Sequence, residues 1–280
     1  LLPWGQMSFW GAQVIVNLFS AIPLIGPDFS LWLRGDFVVG DATLNRFFAF
    51  HVIAVPLVLL ALVGAHILAL HEVGSNNPDG IEIKKKKDAN GIPLDGVPFH
   101  PYFTVKDIVG SVVFLMVFSL VIFFSPEGGG YFLEYNNFFP ANPLMTPPHI
   151  APVWYFTPFY SLLRAVTYPL FGIDAKFWGV VAMGGGVAIL VILPWLDRSP
   201  VKSIRYRGPI FKTLLPIFVI SFFILGFLGT KPPSYAFFGM IPGAPVAQIL
   251  SAYYFLFFLT MPIWSRIDKC KPEPERVTGK

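Results

Sequence analysis

Three histidines lie along or just beyond one long apolar stretch of the chain, where an ionisable side chain is costly and usually has a function. His51 and His66 lie inside the stretch, and His71 follows its end. The fifteen residues from 51 to 66 correspond to about 22 Å of helix, which is too far for one shared metal ion. His66 and His71 are five apart, whereas two metal ligands on one helix face are usually four apart. The spacing therefore favours two separate cofactors, one near each face of a membrane.

Haem iron is the cofactor centre that suits this pattern, because it accepts a neutral imidazole nitrogen on each side. Fifteen residues of regular helix leave the two rings about 60° apart around the axis, so both can face one side. Pro56, between them, would distort the intervening turn. The sequence has no second long span with paired histidines. We therefore expect the opposing ligands of six-coordinate haems to lie upstream of this chain, which begins at Leu1 like a fragment.

The elements that must position these histidines are membrane spans. Hydrophobic residues make up 55% of the 280 residues and charged residues only 13%, about half the charge of a soluble domain. Crossing a bilayer takes about 20 apolar residues in a helix. Runs that lack the alternation of a β-barrel favour helices, so we expect an all-α, polytopic transmembrane bundle. The five predicted spans are Leu44–Leu70, Lys106–Phe124, Phe177–Leu196, Phe211–Gly229 and Pro245–Trp264.

Basic residues are sorted between the connections, which predicts the topology. Fifteen of the twenty Lys and Arg residues fall in or at the borders of alternate connections. We expect the segments 72–105, 197–210 and 265–280 to face the cytoplasm. The segments 1–43, 125–176 and 230–244 should face the opposite side. The run Lys84–Lys87 is interpreted as a solvated loop, and the net charge of +4 does not indicate nucleic acid as a partner.

Two connections on the opposite side are unusually long and apolar, which is typical of functional loops. Apolar residues recur at helical spacing between Phe9 and Phe19, and Trp154–Ala165 also suits a short helix. Both are predicted to be interfacial helices that close over a site. The single cysteine, Cys270, excludes an intrachain disulfide. Gly184–Gly186 interrupts the third span and is interpreted as a close-packing surface rather than a transport site.

Several independent motifs resemble the cytochrome b family, the central subunit of ubiquinol–cytochrome c reductase (respiratory complex III), in its proteobacterial type. They are LPWGQMSFWG at 2–11, RFFAFH at 46–51, HILALH at 66–71, GSNNP at 74–78, FHPYFTVKD at 99–107 and PVWY at 152–155. The resemblance implies that the five spans are helices D to H of an eight-helix subunit. It implies a division into a haem-binding part, residues 1–104, and a C-terminal part, residues 105–280.

The resemblance also implies roles for the histidines. His51 would ligate the low-potential b haem near the outer face, and His66 the high-potential b haem near the inner face. The mitochondrial form of this helix usually separates its two ligands by fourteen residues rather than fifteen.

An outer quinol site is implied by the tetrapeptide Pro152, Val153, Trp154 and Tyr155. Gly11, on the facing helix, would give the quinol ring close access. The family commonly has Glu at the second position of the tetrapeptide as the proton acceptor, and Val153 replaces it here. Another group must then accept the proton, and the candidates in the same connection are His149, Glu127 and Glu134.

An inner quinone site should lie on the basic side. His71 follows the end of the first span there, and Lys106 and Asp107 begin the second. A His and an Asp, one at each carbonyl, could deliver protons to a reduced quinone. Ser75 could add a hydrogen bond. Lys106 and Asp107 also have a plainer interpretation as an interfacial lysine and a residue that suits the helix dipole.

These assignments predict an electron-transfer subunit that oxidises quinol outside and reduces quinone inside through two b haems, with proton translocation. The expected partners are a Rieske iron–sulfur protein, a cytochrome c-type subunit, membrane lipid and a second copy of the complex. The expected location is the bacterial inner membrane. The alternatives are a dihaem membrane anchor of another dehydrogenase and a secondary transporter.

Overall fold

Helices make up most of the computed structural model, which describes residues 5–130 and 133–277. Leu2–Trp4 of the first motif and the basic residue Lys280 lie outside the described residues. The α-helices in chain order are α1 (Gly5–Phe19), α2 (Gly26–Arg34), α3 (Asp41–Ala49), α4 (Val55–Val73), α5 (Tyr102–Phe124), α6 (Thr157–Ala165), α7 (Ala175–Ala188), α8 (Leu193–Leu196), α9 (Pro209–Gly229), α10 (Gly243–Leu259) and α11 (Met261–Ile267). Two short antiparallel strands, β1 (Ala236–Phe237) and β2 (Ile241–Pro242), form a hairpin between α9 and α10.

Three of the predicted spans are confirmed as helices long and apolar enough to cross a membrane. The first runs without interruption over Asp41–Val73, through α3, a π-helical turn at Phe50–Ala54, and α4. The other two are α5 and α9. No side chain of α4 or α5 is buried, so these two helices present apolar surface all round, to lipid or to further protein.

The fifth predicted span is present as a broken helix. Its two pieces, α10 and α11, meet at a bend of 60° and together pass the same test of length and hydropathy. Pro262 follows the break. Proline has no N–H to give to the preceding turn and its ring crowds the carbonyl four residues back, which accounts for the bend.

The third predicted span, Phe177–Leu196, is not one continuous helix and is not among the helices that pass the test of length and hydropathy. α7 has 14 residues, about 21 Å of helix, which is shorter than a bilayer core of about 30 Å. A turn at 189–192 separates it from the four residues of α8, where Pro194 cannot continue the helical hydrogen bonds. The segment still joins the two ends of the bundle, because Lys176 Nζ donates to Ser20 Oγ and the Arg198 amide donates to Ser265 Oγ.

The apolar core lies where α6 crosses α9 and packs against α7 and α10. Leu162 and Leu225 are almost fully buried there, and Ser161 Oγ donates to the Leu225 carbonyl oxygen at 2.5 Å. Both predicted outer helices are confirmed as α1 and α6. α6 lies deeper than expected, because it buries five of its nine residues.

Glycines permit the close crossings in this core. A Cβ at Gly179 would lie 2.5 Å from the Leu163 carbonyl oxygen of α6, and one at Gly186 would lie 2.6 Å from Leu162. A Cβ at Gly184 would meet no atom within 4 Å. The interpretation of the glycine run as a packing surface therefore holds for Gly186 but not for Gly184.

The connections group at two ends of the bundle as predicted. At one end, which we call the basic face, the segments 72–105, 197–210 and 265–277 contact one another through Arg205–Asp79, Lys202–Glu273 and Arg276–Asp95. At the other end, the opposite face, the segments 5–43, 125–176 and 230–244 contact one another. Examples are Gln13 with the Pro143 carbonyl oxygen and Arg164 with the Lys231 carbonyl oxygen.

Carboxylates hold the basic face together. Asp79 accepts from Arg205 Nη1 at 3.0 Å and from Tyr206 Oη at 2.8 Å, and its side chain is 1% exposed. Asp197 receives both terminal nitrogens of Arg207, at 2.9 and 2.8 Å. Burial raises the pKa of Asp197, but hydrogen bonds from Arg207 and the Ser199 amide, together with the Arg207 charge, outweigh it and lower the pKa below 3.8. Asp268 caps α9 by accepting from three backbone amides.

We predict that Gly179→Ala destabilises the bundle by about 1–3 kcal/mol, because the added methyl group meets backbone that cannot move aside. Gly184→Ala is the matched control in the same helix. It should be neutral or stabilising by up to about 1 kcal/mol, since alanine is the better helix former. Thermal unfolding in detergent measures both. Equal loss in the two variants would contradict the α6–α7 crossing described above.

We predict that Asp197→Asn destabilises the protein by about 3 kcal/mol near neutral pH, because it leaves Arg207 without its carboxylate. The pKa of Asp197 is lower in the folded state, so its stabilisation is complete above the unfolded pKa of about 3.9 and disappears as the pH falls through the folded value. The difference in stability between wild type and variant should therefore shrink below about pH 4. A difference that stays constant down to about pH 2 would contradict this linkage.

Candidate functional site

The two candidate ligands lie on one helix that joins the two faces. His51 falls in the π-helical turn at Phe50–Ala54, and His66 falls in the regular helix α4. Their helix begins at Asp41 on the opposite face and ends at Val73 on the basic face. Counting along it, His51 lies about 15 Å from the first end and His66 about 10 Å from the second. The structure therefore places His51 in the first half of this helix and His66 in its second half.

The helix is widened at His51. The Val55 amide donates to the Phe50 carbonyl oxygen, five residues back, rather than to the carbonyl four residues back. The next residue, Pro56, has no amide hydrogen and would clash with the Val52 carbonyl in a regular α-helix. A π turn removes that clash, and such turns are frequent at functional sites.

The residues fit haem ligation. Both imidazoles are exposed at the helix surface, and within the described part of the chain neither forms a hydrogen bond, so their ring nitrogens are open to a ligand. Neutral imidazole is the donor that a b-type haem takes on either side of its iron. Among residues 5–130 and 133–277 there is no cluster of three His, Cys, Asp or Glu side chains suited to a bare metal ion.

The helix that carries Gly11 is fastened to the long connection that carries the tetrapeptide. Trp10 Nε1 donates to the Met145 carbonyl oxygen at 3.2 Å, and Gln13 Nε2 donates to the Pro143 carbonyl oxygen at 2.6 Å. Gly11 lies between them in sequence, and a Cβ there would meet no atom within 4 Å. The surface at Gly11 is therefore open.

The tetrapeptide forms the entry to α6. The Phe156 amide donates to the Val153 carbonyl oxygen, and Thr157 Oγ1 donates to the Trp154 carbonyl oxygen, which fixes the turn. Trp154 packs edge-on against Tyr155 with ring centres 5.7 Å apart. The side chains of Val153, Trp154 and Tyr155 are 48%, 82% and 63% exposed. The turn is rigid, and its aromatic side chains remain available for a ring-shaped ligand.

The three candidate proton acceptors have different surroundings. A ring nitrogen of His149, Nε2, lies 3.0 Å from the Thr230 carbonyl oxygen. Because a carbonyl only accepts, Nε2 must carry the hydrogen, and a neutral His149 then has Nδ1 free to accept a proton. Glu127 is exposed and Glu134 is half-buried. The described contacts do not bring any of the three onto the tetrapeptide.

The inner candidates lie at neighbouring helix ends but are not in contact with one another. His71 Nδ1 lies 2.8 Å from the Ile67 carbonyl oxygen, which leaves Nε2 as the free ring nitrogen. Lys106 lies over the Phe103 ring at 5.7 Å. Asp107 and Ser75 are exposed. The structure thus places all four on the basic face without forming a closed pocket.

The sequence analysis missed the aspartates of the basic face. Asp79 directly follows the motif at 74–78, and Asp95 lies four residues before the motif at 99–107. Asp95 accepts from Arg276 Nη2 at 3.0 Å and from the Val277 amide. The available signal was weak, since each is one carboxylate among five acidic residues that accompany four lysines in the connection 72–105. Their partners lie more than 120 residues away in sequence, so local pattern could not identify them.

Two family descriptions match the chain in order. Residues 1–132 match "Cytochrome b(N-terminal)/b6/petB", and residues 140–255 match "Cytochrome b(C-terminal)/b6/petD". The chain is 60% identical to the cytochrome b of Allochromatium vinosum, over all of this chain and 66% of that protein. It is 47% identical to the cytochrome b of Rhodospirillum rubrum, over all of this chain and 63% of that protein.

A solved structure described as "Hyperthermophilic respiratory Complex III" superposes with a TM-score of 0.76 at 41% identity, covering 95% of this chain and 64% of that one. The chain therefore spans slightly less than two thirds of the length of these relatives. The matched ranges, the identities and the shared fold agree with the membrane-length helices. The chain belongs to the cytochrome b family of integral membrane, b-type haem proteins.

Proposed function

We propose that this chain is part of the electron-transfer subunit of a quinol–cytochrome c reductase. The observation that carries the proposal is the single membrane-length helix Asp41–Val73, which holds His51 in its first half and His66 in its second half. Membership of the cytochrome b family and the fold shared with a complex III chain support it. The same arrangement would serve a dihaem membrane anchor, so quinol-dependent reduction of cytochrome c is the deciding activity.

Two b-type haems are the proposed cofactors. His51 would hold the low-potential haem near the opposite face, and His66 the high-potential haem near the basic face, with one ligand of each supplied from outside this chain. Bound haem supplies one-electron chemistry. The chain's own contribution is a rigid helix that fixes the vertical separation of the two imidazoles at about 22 Å.

The proposed quinol site lies on the opposite face, between Gly11 and the turn Pro152–Tyr155. The exposed Trp154 and Tyr155 rings offer an apolar slot with a phenolic hydroxyl at its end. Val153 offers no acceptor for a proton. We propose His149 for that role ahead of Glu127 and Glu134, because its Nδ1 is free to accept while its Nε2 is fixed on Thr230. His149 is also the nearest of the three to Val153 along the chain.

The proposed quinone site lies on the basic face, where His71 and Asp107 would each hold a proton for one quinone carbonyl. Ser75 and Lys106 would add a hydrogen bond and a charge. Quinone reduction consumes two protons, and groups at this end of the bundle are in reach of water on that side. Ubiquinol and ubiquinone are the proposed substrates.

The basic face is proposed to face the cytoplasm of a bacterial inner membrane, following the excess of Lys and Arg in its connections. Residues 1–104 would then contribute the haem ligands, and residues 105–280 most of the quinol site. The proposed partners are a Rieske iron–sulfur protein, which would dock on the opposite face, a cytochrome c-type subunit and a second copy of the complex.

We predict that His51→Ala and His66→Ala, made in the full-length subunit, each remove one b haem and leave the other. Each variant deletes the imidazole of a single iron. The reduced-minus-oxidised optical spectrum of the purified complex should fall to about half its wild-type amplitude. His100→Ala is the control, since His100 lies in a connection outside the spans and should leave both haems. Unchanged haem in both ligand variants would refute the assignment.

We predict that Gly11→Val lowers quinol-dependent cytochrome c reduction at least about tenfold, or ~1.4 kcal/mol, with both haems retained. The isopropyl group would fill the approach to the quinol ring without a clash in the described chain. Gly184→Val is the matched control, because it is also a helical glycine with open space at Cβ. If the two variants had equal activity, Gly11 would not line the quinol site.

A further inference from the structure

The wide turn at Phe50–Ala54 begins one residue before His51, so most of it lies on the path from His51 to His66 and changes the relative direction of the two side chains. In a regular α-helix each residue turns the chain by about 100°, so fifteen residues leave His66 about 60° from His51. The bond from the Val55 amide to the Phe50 carbonyl oxygen closes over five residues rather than four. A turn of this kind holds about one residue more than an α turn and withholds up to about 100° of rotation.

Applied to these two residues, a withheld rotation of about 20° to 100° leaves the imidazoles closer to one line than the 60° of a regular helix. Withholding most of one residue's rotation brings the two imidazoles to within about 40° of the same line along the helix. Two axial ligands for two haems stacked through one bundle must point into the same gap. At the upper limit of this rotation, two residues fifteen apart across the turn differ in direction as residues fourteen apart do in a regular α-helix.

We propose that the π turn at Phe50–Ala54, maintained by Pro56, is the device that aligns His51 with His66 toward the two haems. The proposal rests on the proposed haem ligation. Pro56 is a positioning residue, because it touches neither iron and acts by denying the Val52 carbonyl its usual amide partner. Ile53, within the turn, is 60% exposed and packs into no part of the described core.

Two single-residue deletions in the full-length subunit test the device. Deletion of Ile53 removes one residue from the wide turn, which can then close as a regular turn and keep the two imidazoles nearly aligned. Deletion of Leu60 removes one residue from the regular helix between the same two histidines and rotates one imidazole by about 100° relative to the other. Leu60 is 67% exposed, so the two deletions remove comparable surface and leave the same residue count between the ligands.

The expected result is two b haems per subunit after deletion of Ile53 and loss of at least one haem after deletion of Leu60. The readouts are haem per polypeptide and the low-field electron paramagnetic resonance signals, which report the orientation of the axial imidazoles. Equal haem loss in both variants, with the subunit still assembled in the membrane, would overturn the alignment proposal. Two haems retained after deletion of Leu60 would also overturn it.

A third variant covers the case in which both deletions prevent folding. Pro56→Ala keeps every residue but restores an amide hydrogen, so a regular helix becomes accessible at His51. The expected result is a shifted resonance for the haem at His51 and an unshifted one for the haem at His66. Unshifted resonances for both would overturn the role of Pro56. Absence of haem from the wild-type full-length subunit would instead refute the proposed function.

Discussion

Buried aspartates on the basic face connect the helix of the histidines to the rest of the bundle. α4 and α5 bury no side chain, so neither is located by apolar packing within the described chain. The connection between them is located by Asp79, held by Arg205 and Tyr206, and by Asp95, held by Arg276. A carboxylate removed from water needs such partners, because burying it unpaired costs several kcal/mol. The basic-face end of this helix is therefore located by charge pairs, and its other end is located by the buried Thr43, whose Oγ1 donates to the Arg34 carbonyl oxygen.

The same pairs bring together opposite charges on a face whose segments (72–105, 197–210 and 265–280) carry thirteen Lys and Arg residues and nine Asp and Glu residues. The arginines Arg205, Arg207 and Arg276 each meet an aspartate of another part of the face. The four consecutive lysines at 84–87 stay at the surface, where Lys84 binds the Glu72 carbonyl oxygen and Lys86 pairs with Glu275. Exposed pairs of that kind contribute little. Three arginines of this face are thus held by aspartates, while the run Lys84–Lys87 stays exposed, as do Arg198 and Arg266.

The helices were predictable because a bilayer demands long apolar runs, and α4, α5 and α9 have them. The breaks at Pro194 and Pro262 could have been predicted from the same sequence, since proline cannot continue a helix. Each apolar run was long enough for one span, and the run was therefore predicted as a single helix. The histidines were predicted as ligands from the energetic cost of an ionisable side chain inside a membrane span and from their separation in sequence. The partners of Asp79 and Asp95 were not predictable, because periodicity reports which face of an element is apolar and not which distant segment meets it.

The quinone sites were predicted as residue sets, and the structure places the residues on the predicted faces without joining them into pockets. On the opposite face, Gly11 and the turn at 152–155 are each fixed to the same connection, so their separation is set by rigid elements. On the basic face, His71 and Asp107 belong to helices that share no buried contact. An imidazole exposed to lipid is costly. In the proposed function, the haems and the protein that supplies their second ligands cover the histidine-bearing side of α4, and the same cover would bring α4 and α5 to their working distance.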